Sequence, residues 1–337
     1  MKSIVIGRND AGQRVDKFLT KAFPALPQSM MYKAIRCKDI KLNRKRCEIS
    51  TRLSEGDTLD IYVRDEFLDK REERRPQFML AGTQLKVAYE DDNILVVDKP
   101  QGLIVHPDEN FQNDTLIGRI QRYLFTKGEY DPEDEQSFAP ALVNRIDRNT
   151  CGLVIAAKNA AALRVLNEKV RVREITKKYL CVVYGKMKKP EATLTGYLEK
   201  NEAQNRVYID ERPNKNSKTI VTKYKLIASQ PELSLLEVEL LTGRTHQIRA
   251  HLASIGHPLL GDGKYGPNQL NKKFGTFRQA LCSCYLKFDF ETNAEELEYL
   301  RGREVFAGRV EFAESFLDDA KTTVNDEATA ARWRKKV

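Results

Sequence analysis

Short segments with strand character recur from about residue 86 onward in this 337-residue chain. The stretch "LVIAA" at 153–157 is continuously apolar, as in a strand that is buried on both faces. Further strands are predicted at "YLCVVYG", "VTKYKLI" and "LSLLEVELL". The first long helix of this region is predicted over 160–173, and another runs through "THQIRAHLASIG", where Gly256 is placed to end it. Runs of strands with irregularly spaced helices predict an α+β fold on a mixed, largely antiparallel sheet.

Length and composition narrow the class of protein. A chain of this length accommodates two domains and a substantial core. The six cysteines have no paired CxxC spacing, which indicates buried thiols in a reducing compartment. The N-terminus lacks a signal-peptide pattern, and no segment approaches the roughly eighteen apolar residues of a membrane span. We therefore expect a cytoplasmic protein without membrane association, and a monomer.

Basic charge is concentrated near the N-terminus. Between residues 8 and 52 there are 12 basic and 4 acidic residues, so this segment carries +8 of the formal net charge of +9. Clustered basic charge is the usual electrostatic footprint of nucleic-acid binding. The alternative interpretation is a solvated basic face.

Residues 12–64 predict a small α/β module. Val15, Phe18 and Leu19 share a helical face, Ser29 is placed to cap a second helix, and a basic strand-turn-strand follows. This order, with "MMYKAIRCKDIKLNRKRC", resembles the RNA-binding domain named after ribosomal protein S-four, whose basic helix and following loop rest on RNA phosphates. The resemblance implies RNA contacts from six residues: Lys33, Arg36, Lys38, Arg44, Lys45 and Arg46.

The rest of the chain divides by composition. Residues 65–84 are dense in charges of both signs and predict a linker. Residues 85–290 carry the strand-rich pattern and are predicted as a second, larger domain, and 291–337 form a charged C-terminal extension that is helical near Trp333.

An acid stands at the entrance to the buried strand at 153–157. Asp147 lies between Arg145 and Arg148 and is followed by Asn149, Thr150 and Gly152, which is turn chemistry that delivers a charge to the edge of a core. Taken alone, this pattern is more typical of a helix cap or a surface ion pair than of a catalytic acid.

Four ordered motifs give that acid a context. They are "DKPQGLIVHP" at 98–107, "NRIDRNTCG" at 144–152, "KKYLCVVYG" at 177–185 and "LLTGRTHQIRAHLASIGHPLLGDGKYG" at 240–266. In order and spacing they resemble the catalytic domain of the RluA family of pseudouridine synthases. The resemblance covers about residues 85–290 and, with the N-terminal module, most of the chain. It implies an isomerase that converts uridine in RNA to pseudouridine and needs no cofactor.

The resemblance also assigns roles to individual residues. Asp147 matches the family's essential aspartate, which attacks the sugar, attacks the base or removes a proton; the sequence favours none of the three. Tyr179 matches the active-site tyrosine that stacks on the flipped base. The assigned catalytic residues are Asp147, Tyr179 and Arg249, and the assigned substrate-binding residues are Arg145, Arg244, His246 and Gln247.

Two arginines are expected to act at different steps. Arg145 precedes Asp147 by two residues and so points to the same side of an extended segment; the resemblance makes it the residue that helps turn the uridine out of the RNA. Ile248, Leu252 and Ile255 mark the predicted buried face of the helix, with Arg249 at its edge. There it reaches inward to pair with the catalytic aspartate, as the resemblance implies, and favours its ionised form.

Other interpretations of these motifs are weaker. His246 and His251 are five residues apart without a completing carboxylate or cysteine, so we predict no metal site. Asn144 replaces the histidine and Cys151 the serine that family members usually carry. Ribosomal RNA is the expected substrate, because family members with this extra module mostly act there, and transfer RNA is the alternative. The rival function is that of a non-catalytic RNA chaperone or ribosome-assembly factor, which has no need of Asp147, Tyr179 and Arg249 together.

Overall fold

The computed structural model describes residues 1–68, 76–108, 113–204, 206–276 and 278–334. These residues form a small N-terminal sheet and a large second sheet. The middle of the predicted linker, residues 69–75, lies outside the described residues. The N-terminal elements are β1 (Lys2–Val5), α1 (Val15–Ala22), α2 (Gln28–Arg36), β2 (Ile40–Leu42), β3 (Lys45–Arg46) and β4 (Thr58–Ile61).

The N-terminal module packs two helices on a four-stranded sheet of order β1-β4-β2-β3. Phe18 and Leu19 of α1 and Ile35 of α2 are buried in its core. The sheet includes β1, which precedes the predicted start of the module at residue 12. Ser29 does not cap α2: the helix begins one residue earlier, after Pro27, and has no side-chain cap. Pro27 supplies a fixed backbone angle at this start in place of a hydrogen bond.

The second part of the chain contains eighteen α-helices and β-strands among the described residues. Its first nine are β5 (Val87–Glu90), β6 (Ile94–Lys99), α3 (Leu116–Thr126), β7 (Ala141–Leu142), β8 (Cys151–Ala157), α4 (Ala160–Arg171), β9 (Ile175–Tyr184), β10 (Glu191–Asn201) and β11 (Arg206–Asp210). The remaining nine are β12 (Lys218–Ser229), β13 (Leu233–Leu240), α5 (Gln247–Ser254), α6 (Asn268–Lys273), β14 (Leu281–Phe288), β15 (Glu304–Phe306), α7 (Glu311–Asp318), β16 (Thr323–Val324) and α8 (Glu327–Trp333).

The large sheet has the order β11-β10-β12-β13-β9-β14-β8-β6-β5, with β7, β15 and β16 paired to β8, β14 and β12. Among the described pairs, β14 with β8 is parallel and the others are antiparallel, which confirms the predicted mixed, largely antiparallel sheet. Gly152 permits the parallel pair, because a Cβ atom there would lie 2.1 Å from the carbonyl oxygen of Ser283 on β14. Gly152 belongs to β8, the strand that Asp147 precedes.

Separate apolar cores cover the two faces of the large sheet. Alternate residues of β9 enter different cores: Leu180 and Val182 face one, and Tyr179 and Cys181 face the other. The same alternation in β8 explains why "LVIAA" is continuously apolar, and its predicted burial on both faces is confirmed. The core that contains Tyr179 also contains Ile248 and Leu252 of α5, so this face carries the candidate site.

The C-terminal residues complete the opposite core. Phe316 and Leu317 of α7 and Trp333 of α8 are buried there with Leu180 and Val182. The helix predicted near Trp333 is therefore present, and the described residues after 290 pack with the large sheet. None of the helices in the described ranges is long and apolar enough to cross a membrane.

Two expectations about helices were wrong. The sequence predicted the first long helix of this region at residue 160 and did not predict α3, which begins at Leu116, is capped by the side chain of Thr115 and buries Leu116, Ile120 and Leu124. Ile255 was expected on the buried face of α5, but its side chain is 40% exposed. The helix ends at Ser254, so Ile255 no longer follows the helical repeat.

Candidate active site

The turn that carries Asp147 is held by the segment before it in the sheet. Lys99, at the end of β6, is fully buried, and its Nζ donates to the carbonyl oxygens of Pro100, Leu103 and Arg148 at 2.7 to 3.0 Å. The backbone N–H of Gly102 also donates to Arg148 O at 2.8 Å. Burial lowers the pKa of Lys99 to about 8. The "DKPQGL" motif thus fixes the backbone next to Asp147.

Asp147 meets its main charge partner from a distant part of the chain. Arg249 Nη1 donates to Asp147 Oδ2 at 2.9 Å, the pairing that the resemblance implied. The other side of the same guanidinium is held by Asp262, with Nε to Oδ2 at 2.7 Å and Nη2 to Oδ1 at 3.0 Å. The Asp147 side chain is 25% exposed, whereas that of Asp262 is 0% exposed. Arg249 therefore links a buried carboxylate to an accessible one.

Asp262 was missed as an individual site residue, although it lies in the quoted "GHPLLGDGKYG" motif. It also accepts hydrogen bonds from the backbone N–H groups of Lys264 and Tyr265. The preceding Gly261 has φ +76, and a Cβ atom there would lie 2.0 Å from Arg278 O, so only glycine fits. Burial opposes ionisation of Asp262, but the Arg249 guanidinium outweighs it and lowers the pKa of this carboxyl. The glycine–aspartate pair is the sequence signal for this anchor.

His246, which immediately precedes α5, also lies near Asp147. Its Nε2 is 3.8 Å from Asp147 Oδ2, and its Nδ1 is 2.9 Å from the hydroxyl oxygen of Tyr265. Its φ of +54, immediately before α5, turns the ring toward the site. Burial lowers the pKa of His246 to about 4, so the ring is neutral near pH 7. Tyr265 was the second residue that the sequence reasoning left unassigned.

Tyr179 faces the same core as the site from β9. It is 5% exposed, and burial, reinforced by the nearby Asp147 carboxylate, raises the pKa of its hydroxyl well above the usual range. The phenol is therefore protonated. The side chain offers an aromatic ring and a neutral hydroxyl near Asp147.

Two predicted substrate-binding residues occupy different environments. Arg244 is exposed, and its guanidinium makes no hydrogen bond or ion pair with the described residues. Gln247 is buried: its amide nitrogen donates to Val221 O and Thr222 Oγ1, while its oxygen accepts from Thr242 Oγ1 and the N–H of Arg244. These four bonds use the whole amide, so Gln247 has no free donor or acceptor for a substrate and instead fixes the loop that presents Arg244.

Neither arginine beside Asp147 in sequence pairs with it. Arg145 is exposed and has no ion pair within the part of the chain that the structure describes. The burial of nearby His106 and the positive charge of Arg145 both lower the pKa of His106. Arg148 Nε donates to Gly102 O at 3.1 Å. Arg145 is therefore available at the surface, although its neighbour Ile146 is buried.

Asn144 and Cys151, the two departures from the family pattern, each make a hydrogen bond to a backbone group of the large sheet. Asn144 Oδ1 accepts from the N–H of Ile155 at 2.8 Å and so ties this segment to β8. Cys151 Sγ lies 3.5 Å from Leu281 O, at the parallel junction with β14.

Of the other cysteines, Cys37 was expected to be buried but is exposed. The described residues contain no cluster of three or more potential metal ligands.

The six predicted RNA-binding cations lie in one stretch of the N-terminal module and are all exposed. Lys33 and Arg36 are on α2, and Lys38 follows it with φ +65. The β2–β3 turn has positive φ at both Asn43 and Arg44, so Arg44 is displayed at the hairpin tip. None of the six cations forms an ion pair with the described residues. The structure therefore leaves this basic surface available to phosphates.

Comparison with known proteins shows which family the chain belongs to. Residues 93–254 match the RNA pseudouridylate synthase family. Ribosomal large subunit pseudouridine synthase C of Vibrio vulnificus is 32% identical over 300 residues, which are 87% of this chain and 90% of that protein. The protein of the same name from Salmonella typhi is 32% identical over 86% of this chain and 88% of its own length.

A solved structure agrees with these sequences. Human RNA pseudouridylate synthase domain containing 1 superposes with a TM-score of 0.51 at 25% identity, over 63% of this chain and 81% of that one. The prediction drawn from the four motifs is confirmed: the chain belongs to the RluA family of RNA pseudouridylate synthases.

Proposed function

We propose that this protein converts uridine to pseudouridine in large-subunit ribosomal RNA, with Asp147 as its catalytic residue. The observation that carries the proposal is a partly exposed carboxylate held by a buried arginine, with Tyr179 and a neutral histidine nearby. The names of the bacterial relatives support ribosomal RNA as the substrate. Transfer RNA is the alternative.

The proposed reaction moves the base on its own ribose. The bond from N1 to C1′ breaks, the base turns, and C5 joins C1′; the proton on C5 is lost and N1 gains one. Asp147 supplies the carboxylate for this exchange, and Arg249 keeps it ionised and oriented. Tyr179 stacks on the extruded base through its ring. Arg145 and Arg244, which are exposed, contact the RNA around it.

We further propose the division of labour that the sequence predicted. Residues 12–64, extended by β1, hold RNA phosphates through the basic surface of Lys33, Arg36, Lys38 and residues 44–46. Residues 85–290 isomerise the base, and the described residues of the 291–337 extension complete the packing of that domain. The protein acts as a cytoplasmic monomer without a cofactor. Unpaired, exposed cations on the module support the first of these assignments.

The direct test is Asp147→Asn, assayed by release of tritium from C5 of uridine-labelled ribosomal RNA. The substitution keeps the size of the side chain and removes its charge, so turnover should vanish while RNA affinity changes little. The matched control is Asp92→Asn, at an exposed position in the turn between β5 and β6, which should retain full activity.

Activity near wild type in Asp147→Asn contradicts the assignment of the catalytic residue, whereas a wild-type protein that binds RNA but releases no tritium favours the non-catalytic RNA chaperone. Mapping of pseudouridine in ribosomal and transfer RNA from cells with and without the protein then identifies the substrate. Loss of pseudouridine confined to transfer RNA would refute the ribosomal assignment.

A further inference from the structure

Tyr265 lies at the centre of the site and has no role in the assignments above. Its ring centroid is 5.2 Å from Cζ of Arg249 and 5.2 Å from Cζ of Arg206 on β11. Its hydroxyl oxygen is 3.0 Å from the backbone nitrogen of Val207 and 2.9 Å from Nδ1 of His246. One side chain therefore contacts the partner of Asp147, the histidine beside Asp147, and a neighbouring strand.

The two hydroxyl contacts determine where the phenolic proton lies. A backbone N–H can only donate, so the Tyr265 oxygen accepts the bond from Val207. The proton of the hydroxyl is then available for the other neighbour, Nδ1 of His246. In the reverse arrangement the oxygen would accept twice, and its own proton would have no partner among the described residues. The arrangement in which the phenolic proton has a partner makes Nδ1 an acceptor.

A neutral imidazole that accepts at Nδ1 carries its proton on Nε2. Nε2 is the atom that faces Asp147, at 3.8 Å from Oδ2. That distance exceeds a hydrogen bond, so the N–H remains available to a group placed between the histidine and the carboxylate. Hydrogen bonds of this kind commonly shorten when the substrate binds.

We propose that Tyr265 is a positioning residue for the isomerisation: its hydroxyl fixes His246 in the tautomer with the proton on Nε2, so that a neutral donor faces Asp147 and the uridine bound against it. The inference rests on the proposed function, and it extends that function to a residue that does not touch the substrate. A donor held in place before the reaction stabilises developing negative charge without reorganisation. Tyr265 is itself fixed, because its N–H donates to the buried Asp262.

The arrangement is tested first without RNA, by long-range proton–nitrogen NMR correlation on protein labelled with ¹⁵N-histidine. The chain has four histidines, and the signals that disappear in His246→Gln identify the residue. We expect wild-type His246 to show a protonated Nε2 and an unprotonated Nδ1 at pH 7. A protonated Nδ1 in the wild-type protein overturns the proposal, and this measurement needs no variant of Tyr265 that folds.

Tyr265→Phe then separates the hydroxyl from the ring. It retains the ring beside Arg206 and Arg249 and removes the donor, so His246 should populate both tautomers. The single-turnover rate should fall about 5- to 10-fold, the factor that one hydrogen bond supplies, with RNA affinity within about twofold of wild type. The matched control is Tyr208→Phe on β11, whose hydroxyl bonds Gln204 and whose ring also lies near Arg206. It should change neither readout.

The outcomes distinguish this proposal from the function on which it rests. A wild-type protein that forms no pseudouridine, with His246 in the expected tautomer, refutes the proposed function and upholds the arrangement. An active wild type whose His246 tautomer or rate is unchanged by Tyr265→Phe overturns the positioning role.

Discussion

Replacement of Asp262 by Asn should weaken the fold much more than the same replacement of Asp147, although both carboxylates bind the same arginine. Asp262 is fully buried and receives two of the bonds from Arg249. Asp147 is 25% exposed and receives one. The two variants therefore remove equal charge from unequal surroundings.

The magnitudes follow from burial. Removal of one partner from a buried ion pair costs about 3 to 5 kcal/mol, because the remaining charge is left in a poor environment. In Asp262→Asn, Arg249 keeps Asp147, and the amide oxygen can still accept from the N–H groups of Lys264 and Tyr265. We therefore expect a loss near the lower limit, about 3 kcal/mol. Asp147→Asn breaks one bond at a partly exposed position and should cost at most about 1 kcal/mol.

Urea unfolding at pH 7 measures this difference. The single Trp333 is buried in the core of the large sheet, so its fluorescence reports unfolding of that region rather than of the N-terminal module. The free energy of unfolding is obtained by linear extrapolation, with similar slopes expected for the wild type and both variants. If Asp262→Asn loses less than about 1 kcal/mol, or no more than Asp147→Asn, then Asp262 is not the structural anchor of Arg249.

Two further predictions concern RNA. In single-turnover assays, Arg145→Ala should lower the rate most on a folded hairpin and less on an unpaired strand, since extrusion of a stacked base costs a few kcal/mol. Arg249→Ala should lower the rate on both substrates alike. Equal losses of rate for Arg145→Ala on the two substrates would make base extrusion the wrong role. Replacement of residues 44–46 by Gln in the full chain should reduce the slope of log affinity against log salt by about 2, at about 0.7 per phosphate contact. The control Lys321→Gln, at an exposed position, should leave the slope unchanged. An unaltered slope in the triple variant would show that these cations form only a solvated face.

The fold was predictable where local pattern and burial agree. The segment at 153–157 is apolar at every position because β8 is covered on both faces, and that information is contained in consecutive residues. The helix α3 also carries a local signal, with Thr115 as cap and apolar residues at 116, 120 and 124. It was missed because polar segments surround it. Its packing partner, the short 3-10 helix Gln77–Leu80, lies about forty residues earlier in the chain.

The site was only partly predictable because its charges come together across long sequence separations. Asp147 and Arg249 are 102 residues apart, and the motif resemblance, rather than any local pattern, linked them. Asp262 and Tyr265 lie within the same motif, but nothing in their spacing shows that one binds the arginine and the other the histidine. Gln247 looked like a polar group for the substrate, and only its four internal hydrogen bonds reveal that it is occupied.

The unequal attachment of Arg249 fits the proposed role of Asp147, an acid that must be held and yet be free to react. The two bonds to Asp262 fix the guanidinium whether or not Asp147 is engaged, since Asp262 is itself held by two backbone N–H groups. A substrate that draws Asp147 away from Nη1 therefore breaks one partly exposed hydrogen bond, worth at most about 1 kcal/mol, and leaves the buried pair intact. The arginines adjacent in sequence could not serve this purpose, because Arg148 binds the Gly102 carbonyl and Arg145 lies at the surface.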